Sequence, residues 1–259
     1  RFRLRAPVGP VQRVEDKTPK SSSQHPRTGG KNRRDDPRSP HPNSRNAEKR
    51  PTESHRVTPE AFQTRFSTSN EVLLDLKRFS TLLVKWNKRI NLISKSTESD
   101  LWQRHFADSA CLTTVVDPPK TWCDLGSGGG FPGLIVAILL KRNDTQLTLI
   151  EADTRKAAFL KEATRQLALN VTVLDQRIEA ATPQNADVIS ARALAPLDQL
   201  LEFATLHGHS RSVCLFPKGA RVSEDLHTAR SCWTFDHTIH PSASSAEGVI
   251  LRITEIARV

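Results

Sequence analysis

The sequence contains no apolar run approaching the ~20 residues that a membrane-spanning helix needs, so no membrane contact is expected. Its arginine-rich N-terminus has no apolar stretch behind it, and no secretory signal is expected there. Methionine is absent altogether, so Arg1 is not an ordinary initiator. Cysteine is scarce: the four, Cys111, Cys123, Cys214 and Cys232, form no CxxC pair, which argues against a structural zinc site or a dithiol redox motif. Cys123 and Cys214 stand in apolar runs, where a free thiol packs as a small hydrophobe. A reducing compartment, the cytoplasm, is the expected setting. There is no internal repeat.

What is present is unevenly spread. The chain carries 38 Lys and Arg against 28 Asp and Glu, for a net charge of +10. Residues 1–56 hold 15 of the former against 6 of the latter, while residues 57–259 hold 23 against 22 and are nearly neutral. Hydrophobic residues make up only 37% of the chain, and mean hydropathy is −0.47. A stretch as polar as 1–56 cannot bury enough surface to offset its ordering entropy, and it is expected to be a disordered basic tail. Such an arm would add affinity for phosphate without sequence preference.

From Pro59 onward the patterning is that of folded elements. "EVLLDLKRFSTLLVKWNKRINLI" places apolar residues at 72, 73, 76, 79, 83 and 86, near the helical period. "ESDLWQRHFADSACLTTVV" reads as a second amphipathic helix ended by "DPPK". Apolar strands then alternate with helices: "TWCDL", helix 131–141, "QLTLIE", helix 154–169, "VTVLD", "ADVISA", helix 197–207, "SVCLF" and a short helix near 221–229. "WTFDHTIH" and "GVILRITEI" close the series without a helix between them, as an antiparallel hairpin at the sheet edge. Strands apolar throughout, each followed by a helix, predict a doubly wound α/β fold on a mostly parallel sheet. The expected division is a basic tail over 1–56, a helical cap over 57–118 and a ligand-binding domain over 119–259. Trp86, Trp102 and Trp122 are expected to pack in the core or cap.

The densest chemistry lies in "CDLGSGGGFPG", residues 123–133. Residues 128–133 satisfy the G-x-G-x-x-G pattern of dinucleotide-binding turns, in itself a weak indication. Asp124 would oppose a pyrophosphate with like charge, and Pro132 removes a backbone donor from the turn. S-adenosylmethionine reverses that electrostatic argument, since it has no phosphate and carries an ammonium and a sulfonium. Asp124 is then expected to complement the methionine portion, with Ser127, Gly128 and Gly130 giving close backbone approach. Glu151 ends the next strand, the position from which a carboxylate reaches ribose hydroxyls in such sheets.

The ordered set "NLIS", "RHFADS", "DLGSGGGFPG", "TRKAAFL", "SARALAPL" and "FPKG" resembles the bacterial 16S rRNA (guanine-N7)-methyltransferases, the glucose-inhibited division protein B family. The likeness runs from about residue 70 to the C-terminus and leaves the basic tail outside it. It implies a seven-stranded, Rossmann-like methyltransferase sheet under an N-terminal helical cap. Gly126 and Phe131 match positions at the methionine end of the cofactor, Glu151 the ribose-binding acid, and Ile178 and Glu179 the pair that brackets adenine. Arg192 matches an arginine between cofactor and target base, and Lys218 a lysine on the RNA side. Asn91 and the Arg104–His105 pair match the helical portion over the pocket. This chain reads "SARA" where many members read "SRA". His105 itself reads most simply as a packed or capping histidine on an amphipathic helix.

Guanine N7 presents an in-plane lone pair and no proton, so its methylation requires no general base. The implied reaction has no covalent intermediate and no metal, with Arg192 or Lys218 holding guanine O6 or a nearby phosphate. The implied substrate is 16S rRNA, naked or within a partly assembled small subunit, and a monomer is expected. Three other readings stay open on the residues alone: a NAD-linked oxidoreductase, an S-adenosylmethionine-dependent methyltransferase for a small molecule or protein, and a non-catalytic RNA-binding protein.

Overall fold

The computed structural model of the protein describes residues 57–243 and 247–259. The basic segment 1–56 lies wholly outside them, and the expectation of a disordered tail falls there.

Seven strands form one sheet in the order β3-β2-β1-β4-β5-β7-β6. They are β1 (Thr121–Leu125), β2 (Gln146–Glu151), β3 (Val171–Asp175), β4 (Ala186–Ala191), β5 (Gly208–Lys218), β6 (Trp233–Pro241) and β7 (Val249–Arg258). The first five pair in parallel, and β7 runs antiparallel to both β5 and β6. Strand order reverses between β1 and β4, which makes their carboxyl ends the switch point where ligands bind in open α/β sheets. The β1–β4 ladder is unbroken from Trp122↔Val188 to Leu125↔Ala191. The residue pattern at "SARA" therefore introduces no bulge before Arg192.

Helices cover both faces. On one lie α1 (Pro59–Phe66), α2 (Asn70–Asn87), α5 (Gly133–Leu139) and α6 (Thr154–Gln166); on the other lie α7 (Leu197–His207) and α8 (Val222–Ala229). Thr58 caps α1 by accepting from Ala61 N–H, ahead of Pro59 in the first turn, and Ser69 caps α2 by accepting from Val72 N–H. Leu73, Leu76, Phe79, Leu82 and Leu83 of α2 are buried at helical spacing. Leu76, Phe79, Leu82 and Leu83 join Trp122, Phe131, Leu134 and Phe159 in one core, so helical segment and sheet share a hydrophobic interior. Trp102 packs on Phe62 and Phe106, and Trp86 on Phe159, both half-buried against the core.

Three elements differ from the sequence reading. The second amphipathic helix is a composite: α3 (Lys95–Glu98), a π-helical stretch over Trp102–Ala107, α4 (Asp108–Cys111) and a 3₁₀ turn over Leu112–Thr114. α6 stops short of Asn170 because Ala168 takes a left-handed φ of 49°. β5 extends past Phe216 through Pro217 and Lys218. Its pairing with β4 ends at Leu215, so the missing N–H of Pro217 breaks no ladder on that side.

Candidate functional site

Beyond β1 the chain turns through three glycines in left-handed geometry, Gly126, Gly128 and Gly130, with φ of 63°, 53° and 88°. A Cβ on Gly126 would stand 2.6 Å from Leu194 Cδ1, whereas one on Gly128 would meet nothing closer than 3.9 Å. The loop is packed against the β4–α7 connection at Gly126 and open at Gly128. Glu151, at the end of β2, reaches back to this opening. Its Oε2 accepts from Gly128 N–H at 2.7 Å and its Oε1 from Asp153 N–H at 2.8 Å. Two backbone donors thus aim the carboxylate and leave each oxygen further lone pairs.

A cavity of about 380 Å³ opens here, lined by Gly126, Gly128, Glu151, Ile178, Glu179 and Leu194 among others. Its size is in the range of small-molecule sites. A second, of about 770 Å³, is lined by Asp108, Arg192, Lys218, Arg221 and Asp225 among others. Ala193, Leu194 and Ala195 line both cavities. One short segment after β4 therefore separates two ligand-sized spaces at the switch point.

The family model described as "GidB: rRNA small subunit methyltransferase G" matches residues 73–253. The chain belongs to the rRNA small subunit methyltransferase G family. It is 46% identical over 196 residues to the ribosomal RNA small subunit methyltransferase G of Cereibacter sphaeroides, covering 74% of this chain and 94% of that protein. A relative of the same name from Gluconobacter oxydans is 46% identical over 193 residues, 74% of this chain and 98% of its own. Among solved structures, a Klebsiella pneumoniae protein assigned as an O-methyltransferase superposes with a TM-score of 0.51 at 14% identity, covering 76% and 96% of the two chains. That likeness concerns the fold alone.

The expected cofactor residues divide into those that line the smaller cavity and those that are buried. Gly126, Gly128, Glu151, Ile178 and Glu179 line the smaller cavity. Asp124, expected to face the cofactor, lines neither cavity: it is fully buried, and its side chain is engaged within the protein. Ser190 Oγ donates to Oδ1 at 2.6 Å, and Gly133 N–H to Oδ2 at 3.2 Å. The cause is its place in β1, where Leu125 still pairs beyond it and the side chain points to the α5 face, not off the strand end. Burial raises the Asp124 pKa to about 6, against hydrogen bonds that lower it. Ser127, Gly130 and Phe131 are likewise buried. Ser127 Oγ donates to the Asp124 carbonyl at 3.1 Å, and Phe131 lies under the Arg192 guanidinium at 5.0 Å.

Arg192 and Lys218 both line the larger cavity. Lys218 Nζ donates to Asp225 Oδ2 at 2.9 Å, so its charge is already paired. Asn91 is exposed on the loop beyond α2. The sequence reading missed Asp108, Arg177 and Lys156 at the cavity walls. A carboxylate or cation on a helix or turn looks like a solvated surface group until the topology shows which walls meet.

Proposed function

We propose that the chain transfers the methyl group of S-adenosylmethionine to N7 of a guanine in 16S rRNA. The observation that carries this reading is the Ala193–Leu194–Ala195 segment shared by two cavities, in a chain of the methyltransferase G family. Methyl transfer needs two ligands whose reacting atoms face each other across a short gap.

The smaller cavity suits the cofactor. Glu151, already aimed by two backbone donors, would accept from the ribose hydroxyls, while Gly128 leaves room for close approach. Ile178 and Glu179, on one 3₁₀ turn, would bracket adenine. Asp124 acts from beneath the loop as a buried carboxylate, complementing cationic groups through its field rather than by contact. When bound, S-adenosylmethionine supplies an electrophilic methyl carbon. The larger cavity would hold the target nucleotide, with Arg192 donating to guanine O6 or phosphate. A donor on N7 itself would block the reacting lone pair. No side chain need remove a proton, so the protein acts by alignment and by its electrostatic field.

The helical segment 57–118 serves as a cap on the catalytic sheet of 119–259. The substrate in this reading is 16S rRNA within a partly assembled small subunit, and the enzyme acts as a cytoplasmic monomer. The test is incubation of purified protein and labelled S-adenosylmethionine with 16S rRNA and with immature small subunits, followed by nucleoside mass spectrometry. N7-methylguanosine at one position is the expected product, and its absence from every RNA form tried would overturn the assignment. Arg192→Ala should lower turnover by about a hundredfold while leaving the unfolding midpoint nearly unchanged; unchanged turnover removes Arg192 from the site.

A further inference from the structure

Arg192 makes no close ion pair: among the described residues no carboxylate lies within ion-pair distance of its guanidinium, and Asp108 and Asp124 act on it only through their charges at longer range. It is nonetheless firmly held. Nη1 donates to the Arg104 carbonyl at 3.2 Å, Nη2 contacts His105 Nδ1 at 2.7 Å, and the Phe131 ring lies beneath at 5.0 Å. All three partners are neutral if the imidazole is neutral.

Chemistry decides that point. A guanidinium has donors and no acceptor, so His105 Nδ1 must offer its lone pair. The ring proton then sits on Nε2, which is 2.9 Å from Thr97 Oγ1. Thr97 Oγ1 passes its own proton to the Ser94 carbonyl at 3.0 Å, which leaves it free to accept from Nε2. The donor order Arg192 → His105 → Thr97 → Ser94 is therefore self-consistent and runs one way. The His105 ring also lies on Phe131, centroids 4.9 Å apart and 33° between planes. Burial is the main cause that lowers the His105 pKa to about 3, with the charges of Arg192 and Arg104 adding to it.

We propose that His105 is a positioning residue for Arg192: its neutral Nδ1 holds the guanidinium at the boundary of the two cavities without cancelling its charge. A carboxylate in that place would hold Arg192 as well but would pair with it. A neutral acceptor leaves the field of the cation directed at an oxygen of the substrate nucleotide, guanine O6 or phosphate. The π-helical stretch Trp102–Ala107 is what brings both the Arg104 carbonyl and the His105 ring to one guanidinium. Such wide turns recur at functional sites.

This inference rests on the methyltransferase reading, and its test separates the two. Three variants of the full chain are compared with the wild type on immature small subunits: His105→Phe, His105→Gln and His105→Glu. His105→Phe keeps the ring on Phe131 and removes the acceptor; kcat should fall by about tenfold or more, with S-adenosylhomocysteine affinity within about twofold of wild type. His105→Gln restores a neutral acceptor and should recover most of that loss. His105→Glu restores an acceptor but pairs with Arg192, and should remain as slow as His105→Phe. A His105→Phe enzyme within about twofold of wild-type kcat, or His105→Gln as slow as His105→Phe, overturns the proposal. A readout independent of turnover is the ¹⁵N NMR spectrum of histidine-labelled wild-type protein. His105 should show the neutral tautomer protonated on Nε2 throughout pH 5 to 8; a charged ring or an Nδ1–H tautomer there sinks the idea, even if the variants fail to fold. A wild-type protein that methylates no RNA counts against the functional reading alone, and the tautomer then still decides the role of His105.

Discussion

At the scale of single residues, two buried groups give the protein opposing responses to acid. Asp124 titrates near 6 in the fold against 3.8 for an ordinary aspartate. Between those values the native state holds a proton that the unfolded chain does not, so this residue's contribution is present at low pH and is lost as pH rises through 6. His105 works in the other direction. Its pKa falls from 6.5 to about 3, so the unfolded chain takes up a proton that the native state refuses, and stability is lost as pH falls below 6.5. His105→Gln should remove the second effect and expose the first. Urea midpoints of that variant should then rise on going from pH 7 to pH 4.5 relative to the wild-type profile; parallel profiles would contradict it. Glu151 belongs to the same scale. Glu151→Gln should weaken S-adenosylhomocysteine binding by about tenfold to a hundredfold, read by calorimetry, because it swaps a charged acceptor for a neutral amide.

Among the elements, the glycine loop and the start of α5 have the least room. A Cβ on Gly133 would come within 2.4 Å of Leu149 Cδ2 and 2.7 Å of Asp124 Oδ2. Gly133→Ala should therefore cost about 1–3 kcal/mol in equilibrium unfolding, the usual range for overpacking a core. Gly128→Ala meets no such wall, and its loss should come from its left-handed φ and from the cofactor's access. Much of this level was legible beforehand. The apolar strands, the carboxylates at the ends of β1 and β2, and an arginine just after β4 can be read from patterning, because a doubly wound sheet puts successive strand ends along one edge. The orientation of Asp124 was not legible. From sequence Asp124 reads as a residue at the strand end, whereas Leu125 continues the pairing beyond it and the Asp124 side chain meets Ser190 and the first turn of α5. The π-helical turn was equally hidden, since "WQRHFA" has the residues of an ordinary amphipathic helix. Its widened geometry shows only in three dimensions.

For the whole molecule, charge and cysteine placement carry the testable consequences. Residues 57–259 are close to neutral, with 23 basic against 22 acidic residues, whereas 1–56 supply most of the net charge. Removing 1–56 should lower affinity for 16S rRNA and flatten its dependence on salt, while S-adenosylhomocysteine binding stays as it was. Equal salt slopes for the two chains would show that the basic segment takes no part in binding. Cys111, Cys123 and Cys214 are buried, and burial pushes their thiol pKa values up; Cys232 is exposed. Native protein should accordingly react with a maleimide at one thiol quickly and at the other three only on unfolding. The family likeness was legible because its motifs come in a set order along the chain, three of them at the ends of β1, β4 and β5. The meeting of two cavities at residues 193–195 was not, since their walls come from segments far apart in sequence, such as Asp108, Glu151 and Lys218.

The place of β7 between β5 and β6 bears on how such a chain is made. β6 emerges from the ribosome before β7 but has no neighbour to join until β7 is in place. β5 must likewise wait with one edge bare. A nascent chain halted before residue 249 could build the parallel half of the sheet and the glycine loop, yet would present an unpaired strand edge to its surroundings. Completion of the sheet therefore waits on residues 249–258, the strand that joins β5 to β6.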